Sequence, residues 1–389
     1  MSDAIDVRES FLRFPAWTQH FWTWFTGKAL PRQQPLIRHT WFSYLVLILA
    51  IYFAGLSLSV VAVSLRFQFW YLALLAGWIL TLSAARSMIL VIAHQCIHKR
   101  FSGNGKRDNL VGEMVTVLTF YQDADTFRVE HFHSHHREAV FATHEDPPVQ
   151  VLLGLGFRPG MTRRRLWLQA LLVFFSPAFY LRGFVDRLWC NLVKGTWRRV
   201  GFLSWAAFWL SLPIWLPHGG TVLLLAFLIP VILLAQLSAL LDKLGEHAWL
   251  TQRDPRHGTR YYHVAATWGR FCGRAVPSAS PWKPRGLASW LAWSASMLFY
   301  HLPSRLLVVV GDLPNHDFHH RYPATPDWMI AAYGRQRDID NGLNGGPPYS
   351  EVWGLGQAID RMFLGMSQAD AHQPGRARAE AILHASLDS

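Results

Sequence analysis

Charge and cysteine are both scarce in this chain. Asp, Glu, Lys and Arg make up only 16% of its 389 residues, while 51% are hydrophobic. A soluble domain usually carries roughly 25% charged residues, so the composition excludes an ordinary soluble protein. The three cysteines, Cys96, Cys190 and Cys272, show no CxxC spacing. A disulfide framework, a thiolate zinc site and an iron–sulfur cluster are therefore excluded, and the sparse cysteines fit a reducing face. Cys96 lies between two histidines and reads as a small apolar filler. There is no GxGxxG turn for a flavin or nicotinamide, no HExxH of a zinc hydrolase, no haem-binding extension, and no pair of Glu-x-x-His motifs of the carboxylate di-iron bundles. No internal repeat of fixed period is present. No short apolar stretch follows Met1, so the first span is expected to act as its own insertion signal.

What the chain does have is long uncharged runs. Residues 40–65 contain no Asp, Glu, Lys or Arg, and 67–93 contain only Arg86. Each exceeds the roughly 20 apolar residues that cross a bilayer, with a tight turn expected near Arg66. Residues 200–241 are again uncharged and are divided by the turn sequence Pro217-His218-Gly219-Gly220, giving spans at about 200–217 and 221–241. Pro213 and Pro230 would kink them. Leu166–Leu181, after Arg163-Arg164-Arg165 and broken by Pro177, reads as an interfacial helix. The apolar zone at 290–302 reads as interfacial or cytoplasmic rather than as a fifth span.

Lys and Arg outnumber Asp and Glu by 37 to 25. The cations cluster in the amino arm (1–39), in 94–199 and after Asp242, and are nearly missing from the loops inside each pair of spans. The positive-inside rule then puts both termini and the polar regions on the cytoplasmic side. The basic partner is anionic lipid, not nucleic acid. The expected architecture is an all-α integral membrane protein with four transmembrane helices. It has an interfacial arm at 1–39, a membrane domain at 40–330, and an extension at 331–389 whose last twenty or so residues are a loose tail.

Histidine is the informative residue. His131-Phe132-His133-Ser134-His135-His136 packs four imidazoles into six positions. Buried and unpaired they would cost several kcal/mol; a metal removes that cost, because neutral imidazole is a common metal ligand. His94 and His98 share a helix face at the end of the second span. His131 and His135 share one by the same i, i+4 rule, with His136 turned about 100° away toward a neighbouring metal. His133 points elsewhere. His316, His319 and His320 form a third cluster, and His247 stands just past the fourth span. Nine imidazoles suit two metals of coordination five or six, a preference of iron and manganese, whereas one zinc site needs only three or four protein ligands. A metal transporter is disfavoured because its ionisable residues would lie within the spans.

These motifs resemble the membrane fatty acid desaturase superfamily. Asn315-His316-Asp317-Phe318-His319-His320-Arg321-Tyr322-Pro323 is similar to its NHxxHHxxP box, Glu246-His247 to its Glu-His, and Asp146-Pro147 to its DP motif. The likeness covers about residues 40–325. The first box here is HxxxH and the middle one HxxxHH, a spacing found among hydroxylase-type relatives. The resemblance implies a cytoplasmic helical cap holding two irons, with His94, His98, His131, His135, His136, His247, His316, His319 and His320 as ligands, and an internal tunnel for a fatty-acyl or lipid-like chain. It implies O2-dependent C–H oxidation, desaturation first and hydroxylation as the alternative. Electrons would come from an external ferredoxin- or cytochrome-like donor. Glu246, Asp146, Asp317 and Asn315 are expected to orient ligand imidazoles.

Overall fold

The computed structural model describes residues 6–250 and 259–369. In the amino arm, Gln19–Thr26 forms α1. Arg8 is buried there and donates to Gln19 Oε1 (2.9 Å) and the Lys28 carbonyl (3.0 Å). Phe11 packs against Trp22 and Trp293. The arm is thus partly inside the protein, not simply laid on an interface. Residues 1–5 lie outside the described part.

Trp41–Leu65 (α2) begins at a reciprocal cap between Thr40 and Ser43 and ends at Arg66, whose φ of 43° is left-handed. Phe69 is left-handed too, and the chain reverses into Trp70–Ile97 (α3). The two helices pack closely because the facing residues are small. A Cβ on Gly77 would sit 2.2 Å from Ser59 Oγ, and one on Gly55 would sit 2.6 Å from the Thr81 nitrogen. Small residues are how helices approach in lipid, where no water drives them together. α3 changes to π geometry at Met88–Ala93 and then carries on past Ala93, so His94 is still helical.

Gly105–Leu118 (α4) follows, then 124–135 (α5), of which Val129–His135 is π-helical, then Pro147–Gly154 (α6). The expected single interfacial helix at 166–181 is two helices, Arg163–Phe174 (α7) and Pro177–Val193 (α8), bent by 63°. Ser176 caps the second and Pro177 opens it, which ends the first. The expected third span, 200–217, overlaps Thr196–Trp215 (α9). Arg198 in its first turn is buried against Glu113 of α4 (2.6 Å). Gly219–Gly245 (α10) holds a π segment at Leu223–Leu234 around Pro230.

Among the described residues three helices, α2, α3 and α10, are long and apolar enough to cross a membrane; the bent pair α7–α8 makes up to four. This differs from the expected set, because α9 is not among them and the α7–α8 pair is. Arginines in the first turn and polar and tryptophan side chains make α9 less apolar than its lack of charge over 200–215 suggested.

The described residues are mostly helical, as expected, with two short strands besides. Gly269–Phe271 (β1) pairs in parallel with Glu351–Trp353 (β2), Arg270 opposite Val352. Between them lie Pro284–Ser296 (α11), His316–Arg321 (α12) and Ala331–Asp340 (α13). Leu355–Gln368 (α14) ends the described chain. It buries Ala358, Ile359, Met362, Phe363 and Met366 in a core shared with Leu240 and Leu244 of α10. The extension is therefore packed as far as 369; the expected loose tail lies outside the described residues.

Candidate metal centre

Two groups of imidazoles face each other where α3, α5, α10 and α12 converge. His94, His98, His131, His136 and His319 form one; His135, His247, His316 and His320 form the other. Within each group the available ligand atoms lie within 4.8 Å of one another. The partition differs from the expected one. In an α-helix, residues five apart point about 140° away from each other, so His131 was expected to share a face with His135. The π turn reverses this: the His136 amide donates to the His131 carbonyl (3.0 Å), and residues five apart come into line. His131 and His136 therefore meet, and His135 turns to the second group. On α12 the i, i+4 pair His316 and His320 stays together, while His319 joins the first group. His133 is exposed and in neither.

The Nε2 atoms converge. His94 lies 2.7 Å from His131, His136 3.0 Å from His131, and His319 3.3 Å from His136. In the second group His316 lies 3.2 Å from His247 and 3.1 Å from His320. Burial, reinforced by neighbouring imidazoles, holds His131, His136, His247, His316, His319 and His320 well below the ordinary value of 6.5, and with Arg100 nearby pushes His98 down to about 4. Neutral rings carry one N–H and one bare nitrogen each. Two outer nitrogens face protein oxygens. His135 Nδ1 donates to the Asp146 carboxylate (3.0 and 3.1 Å), and His247 Nδ1 faces Thr267 Oγ1 at 3.0 Å. A histidine that gives its Nδ1 proton outward presents a lone pair inward. His98 Nε2 is buried with no hydrogen-bond partner among the described residues. Lone pairs this close repel unless a cation lies between them. Metal–nitrogen bonds of about 2.1 Å would put adjacent ligands about 3 Å apart, which is the spacing found. The residues present fit two metals.

Of the residues expected to orient ligands, Asp146 is the one hydrogen-bonded to an imidazole among the described residues. Asp146, fully buried, accepts from His135 and from the Ala142 amide (2.7 Å). Asp317 touches no imidazole; it pairs with Arg335 (3.0 Å) and accepts from the Phe318 amide (2.8 Å). Arg335 also holds Glu351 (3.0 Å), which binds Lys28 (2.5 Å), tying α12 to β2 and the amino arm. Asn315 donates to the Gly27 carbonyl (2.9 Å). Glu246 lines a cavity, its carboxyl pushed up by burial and by nearby Asp242. Thr267, whose hydroxyl lies 3.0 Å from His247 Nδ1, lies in no motif. It is found only through the antiparallel bridge that sets it beside His247, and no sequence signal marks it.

A cavity of about 610 Å³ runs between α6, α8 and α10 to the imidazoles. At its inner end it touches His94 and His131 of one group and His135 and His316 of the other. Leu90 and Phe127 line it, as do Arg86 and Asp242, paired at 2.9 Å.

The model of the family described as fatty acid desaturase matches residues 69–351. No curated protein matches the chain.

Proposed function

The chain belongs to the fatty acid desaturase family, whose members are oxidoreductases, and from that premise we propose that it is a membrane-bound enzyme using two irons and O2 to oxidise an unactivated C–H bond of a fatty-acyl or lipid-like chain. The observation that carries this reading is the cavity reaching imidazoles of both groups. A chain laid in it would bring a methylene to the space beside the two metals.

His94, His98, His131, His136 and His319 would hold one iron, and His135, His247, His316 and His320 the other. Iron bound there supplies O2 activation and the oxidising strength that C–H cleavage needs. The protein's own part is positional. The buried second group keeps water away from the reacting carbon. Asp146 keeps the proton of His135 on Nδ1, and Thr267 fixes the His247 ring, so both present Nε2 inward. Leu90 and Phe127 offer the chain an apolar wall.

Electrons balance in either outcome. In desaturation O2 takes two hydrogen atoms, that is two electrons and two protons, from the substrate, and two further electrons from a donor with two protons from solvent, leaving an alkene and two waters. In hydroxylation the same donor electrons and protons leave an alcohol and one water. Desaturation is the primary reading; the HxxxHH spacing of the middle box is what favours hydroxylation as the second. Both need an external donor. The distribution of Lys and Arg supports a cytoplasmic active site.

The test is mass spectrometry of lipid extracts from cells with and without the gene. Products lighter by two hydrogens mean desaturation, and products heavier by one oxygen mean hydroxylation. No change in any lipid, from protein shown to contain iron, would refute the reading.

A further inference from the structure

A pocket with apolar walls takes its selectivity from the few polar groups set among them. In the cavity that reaches the imidazoles, Leu90, Phe127, Val151, Leu155 and Phe179 give such walls. Most of its polar groups are already spent on one another. Arg86 pairs with Asp242, Gln122 donates to Glu130 (2.9 Å), and Arg182 faces Asp186 at 3.9 Å. Four carboxylates and three cations line the cavity, so it holds no surplus of positive charge for a free carboxylate or a phosphate.

Gln236 is only half spent. It lies in α10, one of the helices apolar enough to cross a membrane, where a polar side chain is costly and marks a working contact. It is 5% exposed. Its Nε2 donates to the Phe179 carbonyl of α8 (2.6 Å). A carbonyl can only accept, so that bond fixes which end of the amide is which. The other end, Oε1, is buried with no hydrogen-bond partner among the described residues, a costly state for an acceptor. α8 passes it at Gly183, where a Cβ would sit 2.4 Å from Oε1 and 2.2 Å from Nε2. Glycine is thus what leaves the amide uncovered, and Gly183 and Gln236 both line the cavity. From Gln236 the same face of α10 continues through Ala239 and Lys243 to Glu246, in steps of three and four residues, and all four line the cavity. Ten residues of helix rise roughly 15 Å, and Glu246 adjoins His247 of the second histidine group.

Resting on the oxidase reading above, we propose that Gln236 Oε1 accepts a hydrogen bond from the substrate, which is a chain bearing an N–H or O–H donor: an amide-linked or hydroxylated lipid, not a plain hydrocarbon or a simple ester. The donor sits between Gly183 and Gln236. The chain then runs along α10 past Ala239 to the metals, so the oxidised carbon lies roughly 15 Å from the donor. Gln236 determines specificity and takes no part in the C–H step. Glu246 is the inner end of the same face, but its replacement would disturb the neighbouring ligand His247, so Gln236 is the residue that tests the site.

The experiment compares probes that differ only in the donor. N-methyldodecanamide is set against N,N-dimethyldodecanamide, and 1-dodecanol against its methyl ether. Each is titrated into the purified full-length protein in detergent, and its affinity is read from the rise in melting temperature. The donor-bearing member of at least one pair should bind about tenfold more tightly, and the pair that shows the preference tells an amide donor from a hydroxyl. Q236M removes the acceptor at nearly constant volume and should bind both members alike. Q236E, whose protonated carboxyl can donate to Phe179 and keep a free oxygen, should restore the preference. The proposal is overturned if the wild type binds the members of both pairs alike or binds none of the four, comparisons that need no variant to fold. It is equally overturned if folded Q236M keeps the preference, or if Q236E loses it as Q236M does, which would make the amide a clasp between α8 and α10 only. A donor preference in protein that binds no iron would refute the oxidase reading and leave this site standing; iron-dependent lipid oxidation without a donor preference would do the opposite.

Discussion

Replacing Asp146 with Asn probes the assembly with a change of a few atoms. The carboxylate is fully buried and accepts from His135 Nδ1 through both oxygens and from the Ala142 amide. An amide keeps the shape but has a single acceptor oxygen. If that oxygen stays on Ala142, its NH2 group faces the N–H of His135. The imidazole must then move its proton to Nε2, where the lone pair is needed, or rotate away. Loss of such a partner typically lowers metal affinity about 10- to 100-fold, or about 1.4–2.8 kcal/mol. The loss should fall on one metal only, because His135 belongs to the second group. Iron titrated into metal-free D146N should therefore bind in two phases, one at wild-type affinity and one weaker by one to two decades. Two unchanged phases would refute the tautomer argument; equal weakening of both would show Asp146 to be a fold residue instead.

Three further outcomes follow from the packing and the charges. The lowered imidazoles bind fewer protons folded than unfolded, so the metal-free protein should lose stability as pH falls below their ordinary value of 6.5, continuing down to about 4 for His98, with iron released over the same range; a melting temperature in detergent that rose on acidification would contradict this. Gly77→Leu forces a side chain into Ser59 and should destabilise the α2–α3 pair by about 1–3 kcal/mol, read as a lower melting temperature, whereas an unchanged value would mean the helices part easily. Arg335→Ala leaves Asp317 buried and unpaired and should cost about 3–5 kcal/mol. Arg337→Ala, which breaks a half-exposed bridge to Asp327, should cost at most about 1 kcal/mol, so equal melting temperatures for these two variants would refute the buried network's role.

The helical character and the histidines that draw together were legible because both depend on short-range pattern. Uncharged runs announce α2, α3 and α10, and the late box lies on one short helix. What was not legible depends on backbone geometry or distant pairing. The i, i+4 rule assumes an α-helix, and the π turn at Val129–His135 exchanges the places of His135 and His136. Nothing in an isolated heptapeptide reveals that turn; convergence of four chain segments on two histidine groups is what it accommodates. β1 and β2 are three residues each, too short to show alternation. Asp317 resembled a ligand-orienting carboxylate by its position, yet a buried arginine eighteen residues later, Arg335, takes it. A sequence shows which residues are near in the chain, and these partners are near only in space.

The most direct measurement is the iron stoichiometry of the purified full-length protein, with the ligand shell read by X-ray absorption. Two irons per chain, each in a nitrogen-rich shell, are expected, with one remaining after H136A/H319A and one after H247A/H320A. A single iron in the wild type, tightly bound zinc in its place, or two irons surviving either pair of substitutions would contradict the account.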